Sequence, residues 1–479
     1  MQVRTRMAPS PTGEYHVGHL ATLLKNYAFA KKNKGQFILR IEDTDQKRKV
    51  DNSLERIMSV IKAYGLNWDE GPDISGPYAP YVQSKRLDIY RQKALELVDK
   101  GKAYYCFCSQ ERLNQIREDQ RKNKIPPKYD GWCRNLTQVE IAKKLANHES
   151  YVIRLKVPKN EKIIYYDLIR GKIEVDSNII DDQVLLKSDG FPTYHLAVVV
   201  DDTLMKITHV IRGEEWLSST PKHILLYQAF GFKPPIYAHA PVFLNPDGKG
   251  KMSKRKGTVS ALSFLEKGYL PEAMLNFFMI LGWARNDERE IMTLDEYIQE
   301  FDPQDISVKS MIFDLKKLAW INGVYIRNLS DQELTIRLKS YIPSDFPFEK
   351  YDLILPLIKE RLVVLSDFEY LTSFFYRDFN LDDELKKLLI KKANCDLVKK
   401  QLALTYQTLE VATNFDIQTV EFIIRDLCQK NDYKKSQYLM MLRLAISGRS
   451  ATPPLFETML VLGQEKVLKR LKAVSSFLS

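Results

Sequence analysis

Apolar positions recur in two rhythms over the first hundred residues. Residues 3–8 form a short mixed run with the look of a strand. Beyond it Leu20, Leu23, Leu24, Tyr27 and Ala28 fall at helical spacing with lysines on the other side, predicting a helix over residues 20–34. Residues 36–41 (QFILRI) read as a short apolar strand, residues 53–64 and 84–100 as helices, and the Gly/Pro-rich residues 71–80 as a loop. Such alternation predicts a parallel α/β sheet with ligands at the carboxyl ends of its strands.

The rhythm changes near Gly101. Residues 104–108 lead into a charged helix predicted over 110–124, and residues 151–157, 163–167, 172–175 and 184–187 look like short strands, so an α+β insertion is expected. Residues 194–200 (YHLAVVV) are continuously apolar and read as a buried strand of the first sheet, resumed after the insertion. Strand candidates at 207–211 and 236–243 flank a predicted helix over 221–230. Past Pro271 helical periodicity takes over, and residues 351–479 are almost wholly Leu/Ile/Lys-rich helix with a break at 448–454. The expected layout is a Rossmann-type parallel-sheet domain (1–100 and 190–245), an insertion (101–189), a loop and helical domain (246–325) and an all-α region (326–479).

Length and charge sharpen this picture. The 479 residues are too many for one core, at ~100–200 residues per domain. A net charge of +11 points to a polyanionic partner, nucleic acid being the commonest. The five cysteines are too few and too scattered for a disulfide scaffold. No apolar signal core follows Met1, and no apolar run reaches the ~18 residues that span a bilayer, so a cytoplasmic protein without membrane attachment is expected.

Two stretches carry candidate chemistry. Residues 8–20, APSPTGEYHVGHL, form a strand-to-helix turn stiffened by Pro9, Pro11 and Gly13. His16 and His19 are spaced to share one face of the first helical turn, and Gly18 lets a flat ring approach the backbone. A helix N-terminus favours phosphate through its N–H groups and dipole. The bland alternative is a tight turn with two solvated histidines. Residues 247–257, DGKGKMSKRKG, set five basic residues among glycines, suited to phosphate but lacking the Walker A order. Alone, it reads equally as an exposed basic loop.

Together the two stretches resemble the signatures of class I aminoacyl-tRNA synthetases. R-I-E-D-T-D, Y-x-Q-S-x-R, Y-D-G, L-L-K-S-D-G-x-P-T-Y-H, V-V-D-D and H-V-I-R-G-E-E-W stand between them in the order found in glutamyl-tRNA synthetases of bacterial type. The resemblance runs from residue 4 to about residue 330 and continues more weakly to residues 452–456. It implies ATP and Mg²⁺, L-glutamate and tRNA(Glu) as substrates and partners, with a monomer expected. It also implies roles. His16, His19, Lys251 and Lys254 act on the phosphates, and Gly18, Met252, Ser253 and Arg255 complete the ATP site. Arg6, Ala8, Ser10, Glu42, Tyr194 and Arg212 bind glutamate. The insertion takes the tRNA acceptor end, residues 246–325 contact the stem, and the helical tail reads the anticodon, with Arg361 and Arg443 as base contacts. A variant charging tRNA(Gln) as well stays open, as does a catalytically dead RNA-binding protein, though the latter has no reason to keep both motifs with Arg6 and Glu42. An asparagine that touches substrate in some relatives is Val198 here.

Cys106, Cys108 and Cys133 can supply three soft zinc ligands. Some bacterial relatives have C-x-C-x24-C-x-H here, but Asn135 stands at the histidine position, leaving Tyr129 as an unusual fourth ligand. The alternative is three reduced, buried thiols.

Overall fold

A computed structural model describes the chain except Met1, Lys49, residues 253–259 and 284–287, Lys392 and Ser479. It forms two compact units: Met1–Glu266 with Pro271–Leu318, and Lys267–Leu270 with Ala319–Ser479.

In the first unit β1 (Arg4–Met7) pairs in parallel with β2 (Gln36–Leu39). The helix α1 (Val17–Lys32) joins them. A four-stranded sheet follows the order β6 (Gly171–Asp176), β5 (Lys162–Asp167), β9 (Ile236–Ala240), β8 (His209–Gly213). Strands β8, β9 and β5 run parallel, and β6 folds back on β5 as a hairpin. The N–H of Thr208 donates to the Arg4 carbonyl (2.9 Å) and that of Arg4 to the Thr208 hydroxyl (2.8 Å), tying β8 to β1. The carboxyl ends of β1, β2, β8 and β9 lead into residues 8–16, 40–45, 213–216 and 241–243, and the cleft described below is lined there. This is the expected parallel α/β arrangement, and it has the expected ligand edge.

The stretch 101–189 supplies two different structures. β3 (Ala103–Cys106), β4 (Val152–Leu155) and β7 (Val184–Leu186) make an antiparallel sheet of their own. The β5–β6 hairpin instead extends the parallel sheet. The helix Gln138–Ala146 went unread in the sequence, although its Thr137/Glu140 capping box is a T-x-x-E signature visible there.

Residues 194–200 correct an expectation. They are not a strand but the start of a helix, Tyr194–Leu204. Leu196 to Asp202 are all buried, so the helix has no polar face and its 3.6-residue period is erased. The run of valines then imitates a buried strand. As a helix, the segment holds Asp201 and Asp202 among buried arginines. Val198 lies in the apolar core beside Ala197 and Val199, and it does not line the cleft.

The second unit is helical, as the periodicity predicts. It runs from Asp331–Leu338 through Cys395–Glu410, Ile417–Lys430 and Lys435–Ser447 to Gln464–Phe477. The expected break follows Ser447. Gly448 takes φ +70°, and a Cβ there would lie 2.7 Å from the Phe379 ring, so only glycine ends this helix without a clash.

Candidate active site

One cleft of about 1030 Å³ opens at the carboxyl edge of the parallel strands. It is larger than a single small-ligand pocket needs. Arg6, Ala8, Ser10, His16, Gly18, His19, Glu42, Tyr194, Arg212, Lys251 and Met252 all line it. The described residues predicted for ATP and glutamate are therefore brought together. Ser253, Lys254 and Arg255 lie outside the described residues.

The histidine turn is built by α1. His16 is its N-cap, with φ −76° and ψ 144°, and its ring Nδ1 accepts the Gly18 N–H (2.9 Å). Nδ1 being an acceptor, a neutral His16 carries its proton on Nε2. The His16 and His19 ring centroids are 6.1 Å apart. Gly18 has a second reason beyond the expected one: a Cβ there would sit 3.2 Å from His16 Nδ1 and press on the capping ring. Farther along the same helix Lys25 also lines the cleft, which sequence reading missed. It is buried, its Nζ is 3.5 Å from the Ala21 carbonyl, and burial lowers its ammonium to about 8. Its spacing of four from Ala21 and seven from Gly18, which share its helix face, was the available signal.

A buried ionic network forms one wall. Arg6 Nε and Nη2 donate to Asp202 (3.1 and 3.4 Å), and Arg40 donates to Asp202 (2.6 Å) and Glu42 (2.9 Å). The Arg40 side chain is fully buried, and Arg86 and Tyr90 hold the neighbouring Asp201. Burial pushes the Asp202 carboxyl up, but Arg6 and Arg40 outweigh it and hold the group below the usual range. Burial raises Glu42, against the pull of Arg40 and Arg6. Arg6 Nη1 makes no hydrogen bond among the described residues. Arg6 thus pairs with Asp202, and Glu42 with Arg40. Arg40 and Asp202 were not singled out, although charges ending the apolar runs QFILRI and YHLAVVV were the sign.

Arg212 forms the facing group. It donates through Nε to His239 Nε2 (2.9 Å), through Nη1 to the Tyr194 hydroxyl (3.1 Å) and through Nη2 to the Thr220 hydroxyl (2.8 Å). Tyr194 rests on the Trp216 ring at 4.3 Å. The other end of the cleft is open by contrast. Lys251 pairs with Glu215 at 3.5 Å, and the Lys251 side chain is 57% exposed. A turn of Asp247, Gly248, Lys249 and Gly250 presents it, with the Asn245 amide donating to the carbonyls of Lys249, Gly250 and Lys251.

Away from the cleft, Cys106, Cys108 and Cys133 gather with all three sulfurs within 4.8 Å. The Tyr129 hydroxyl is 3.4 Å from both Cys106 and Cys108. Hydrogen bonding from Cys133, and then from Tyr129, draws the Cys106 thiol down. Arg112 reaches Cys108 Sγ (3.5 Å) and Arg154 lies over the Tyr129 ring (4.1 Å), so two cations border the sulfur cluster. Asn135 is exposed. In the second unit Arg361 is exposed, and Arg443 is half-buried with Nη1 donating to the Pro453 carbonyl (2.7 Å). Burial, then the Arg361 charge, lowers the Arg443 guanidinium, so the two predicted base contacts are near neighbours.

Known proteins resemble this chain over its whole length. The family "tRNA synthetases class I (E and Q), catalytic domain" matches residues 2–320, and "Anticodon binding domain" matches residues 333–475. The glutamate–tRNA ligase of Dehalococcoides mccartyi is 45% identical, covering 100% of this chain and 99% of its own. That of Borreliella burgdorferi is 43% identical, covering 100% and 99%. The crystal structure of a glutamate tRNA ligase from Elizabethkingia meningosepticum in complex with its amino acid superposes with a TM-score of 0.87 at 36% identity, covering both chains in full. No described helix is long and apolar enough to cross a membrane. The chain belongs to the class I tRNA synthetases of the glutamate and glutamine group.

Proposed function

We propose that this chain is a glutamate–tRNA ligase. It activates L-glutamate with ATP to glutamyl-adenylate and pyrophosphate, then passes the glutamyl group to the 3′-terminal adenosine of tRNA(Glu). It works in the cytoplasm, as a monomer. The observation that carries the proposal is the company kept in one cleft: the buried guanidinium groups of Arg6 and Arg212 beside the Glu42 carboxylate, and the His16–His19 turn beside Lys251. A dicarboxylic amino acid needs two cationic contacts and one anionic contact, and a nucleotide needs donors for phosphate.

The first step is in-line displacement at the α-phosphate, in which positioning and charge neutralisation do most of the catalysis. Arg6, with Nη1 outside its Asp202 pair, takes the side-chain carboxylate; a planar guanidinium suits that contact. Glu42 and Ser10 take the ammonium, Ala8 lines the pocket, and Tyr194 and Arg212 bind the remaining carboxylate. His16 and His19 donate to the phosphates through ring N–H groups, while Gly18 and Met252 border the adenine. Lys251, Lys254 and Arg255, with Ser253, close over the departing pyrophosphate. Magnesium brought in on the phosphates supplies further charge neutralisation. Arg361 and Arg443 contact unstacked anticodon bases, in the way arginines recognise RNA.

The thiol group fits a structural zinc ion. Tetrahedral zinc binds sulfur at ~2.3 Å and accepts a cluster of this size. Cys106, Cys108 and Cys133 would hold it, with Tyr129 the fourth donor, tying β3 to the turn at residues 129–135. Metal analysis of gently purified protein is expected to give ~1 zinc per chain, and less than ~0.2 overturns the assignment.

The test of function is aminoacylation of purified glutamate and glutamine tRNAs, each with both amino acids. Glutamate on tRNA(Glu) is expected. Glutamate on tRNA(Gln) as well marks a non-discriminating enzyme, and glutamine on either tRNA contradicts the proposal.

A further inference from the structure

The guanidinium of Arg212 is held by a chain that starts far from it in sequence. Asp167 ends β5. Its carboxylate accepts the backbone N–H groups of Ile169 and Arg170 (3.0 Å each) and of His239 (3.1 Å), and it lies 2.6 Å from His239 Nδ1. The His239 and Asp167 side chains are both fully buried. On the other side of the ring, His239 Nε2 is 2.9 Å from Arg212 Nε. An arginine only donates, so Nε2 must be the acceptor. The proton of a neutral His239 is then on Nδ1, where it meets Asp167. The order Asp–His–Arg therefore has one consistent set of donors and acceptors. The carboxylate fixes the tautomer, and the tautomer creates the acceptor that Arg212 needs.

Arg212 and Tyr194 line the cleft; Asp167 and His239 do not. We propose that Asp167 and His239 are positioning residues for amino-acid recognition, holding Arg212 in the orientation that meets a substrate carboxylate. This rests on the reading that Arg212 binds a carboxylate of glutamate. The geometry supports such a role on three counts. An unanchored arginine loses rotamer entropy on being fixed, and here that loss is taken at folding rather than at substrate binding. All three kinds of nitrogen in the guanidinium are occupied by groups on different elements: His239 on β9, Tyr194 on the helix 194–204 and Thr220 on the helix Thr220–Phe230. And Asp167 balances the Arg212 charge through a neutral ring, without a direct ion pair that would compete with substrate.

The test is glutamate-dependent pyrophosphate exchange with tRNA present, measured on the full chain, with KM for glutamate and for ATP determined separately. His239→Leu keeps bulk but removes the acceptor. It is expected to raise the glutamate KM about 10- to 100-fold, the scale of a small misplacement of a binding group, with the ATP KM changed by less than ~2-fold. His239→Gln restores an acceptor near the position of Nε2 and is expected to recover most of the loss. In an Arg212→Lys background, which lacks the Nε donor, His239→Leu is expected to add less than ~2-fold, because the two changes break one interaction. Equal rises in both KM values, no recovery with glutamine, or additive effects with Arg212→Lys each overturn the inference. Melting curves accompany every variant, and if His239→Leu does not fold, the cycle of His239→Phe, which also removes the acceptor, with Arg212→Lys decides by the same coupling. Wild-type protein with no glutamate-dependent exchange overturns the proposed function and this inference with it. Wild-type protein that uses glutamate, beside a His239→Leu variant with unchanged glutamate KM, overturns this inference alone.

Discussion

The two ends of the cleft hold positive charge in opposite ways. At the amino-acid end Arg6, Arg40 and Arg212 are 5%, 0% and 5% exposed, and each is bonded to buried partners. At the nucleotide end Lys251 is mostly exposed and, among the described residues, pairs at long range with the exposed carboxylate of Glu215. The difference follows from what each end must do. A small amino acid of fixed shape is selected by groups already in place, which lose no freedom when it binds. A polyphosphate whose charge shifts during reaction and then departs is better met by cations that can follow it. Burial therefore sits with specificity, and exposure with chemistry.

The comparison breaks first at Arg40. Replacing it with methionine leaves Asp202 with Arg6 as its remaining ion-pair partner and Glu42 with none among the described residues. Removing one member of a buried ionic network costs about 3–5 kcal/mol, so a large fall in the urea midpoint is expected. A midpoint near wild type means that the wall is not held by its charges.

Lys254→Ala tests the other end. It is expected to slow adenylate formation by ~10²–10³-fold, the usual loss for one charge stabiliser. Pre-steady-state release of pyrophosphate measures it, and a near-normal rate sinks the phosphate role.

Acid should find the buried end before the exposed one. Burial, then the Lys222 charge, pushes the His195 imidazole down to about 4, where it sits 3.0 Å from His223. The unfolded chain takes up this proton near pH ~6.5 and the folded chain does not. Stability is therefore full above pH ~6.5 and falls as the pH drops toward about 4. Urea midpoints across that window are expected to decline, and His195→Gln to flatten the decline; an unchanged slope in the variant contradicts this.

Glu215→Gln should matter least. It removes an exposed ion pair at 3.5 Å and is expected to shift stability by less than ~1 kcal/mol. A larger shift would show that the open end is also structurally committed.

Much of the site was legible in the sequence because its signals are local. The HVGH turn, the basic glycine-rich loop and the three cysteines each lie within a short stretch or a fixed spacing, and Gly18 announces a close approach. The parallel sheet was legible for the same reason, through the alternation of strands and helices. What stayed hidden depends on contacts between distant positions. Asp202 meets Arg6 and Arg40 only because residues 194–204 are a helix, and a helix buried on all sides leaves no period to read. Asp167 and His239 meet because a hairpin within residues 101–189 joins the parallel sheet, which no spacing along the chain announces. Thr137 and Glu140 differ from these. Their capping box was in view, so the helix at Gln138–Ala146 was readable and missed.

The central claim is that prebuilt cationic contacts choose glutamate. The most direct measurement is exchange of labelled pyrophosphate into ATP, with tRNA(Glu) present and glutamate, glutamine or aspartate supplied in turn. The account predicts strong exchange with glutamate and little with the other two. Exchange with glutamine as strong as with glutamate, or none with glutamate, would contradict it.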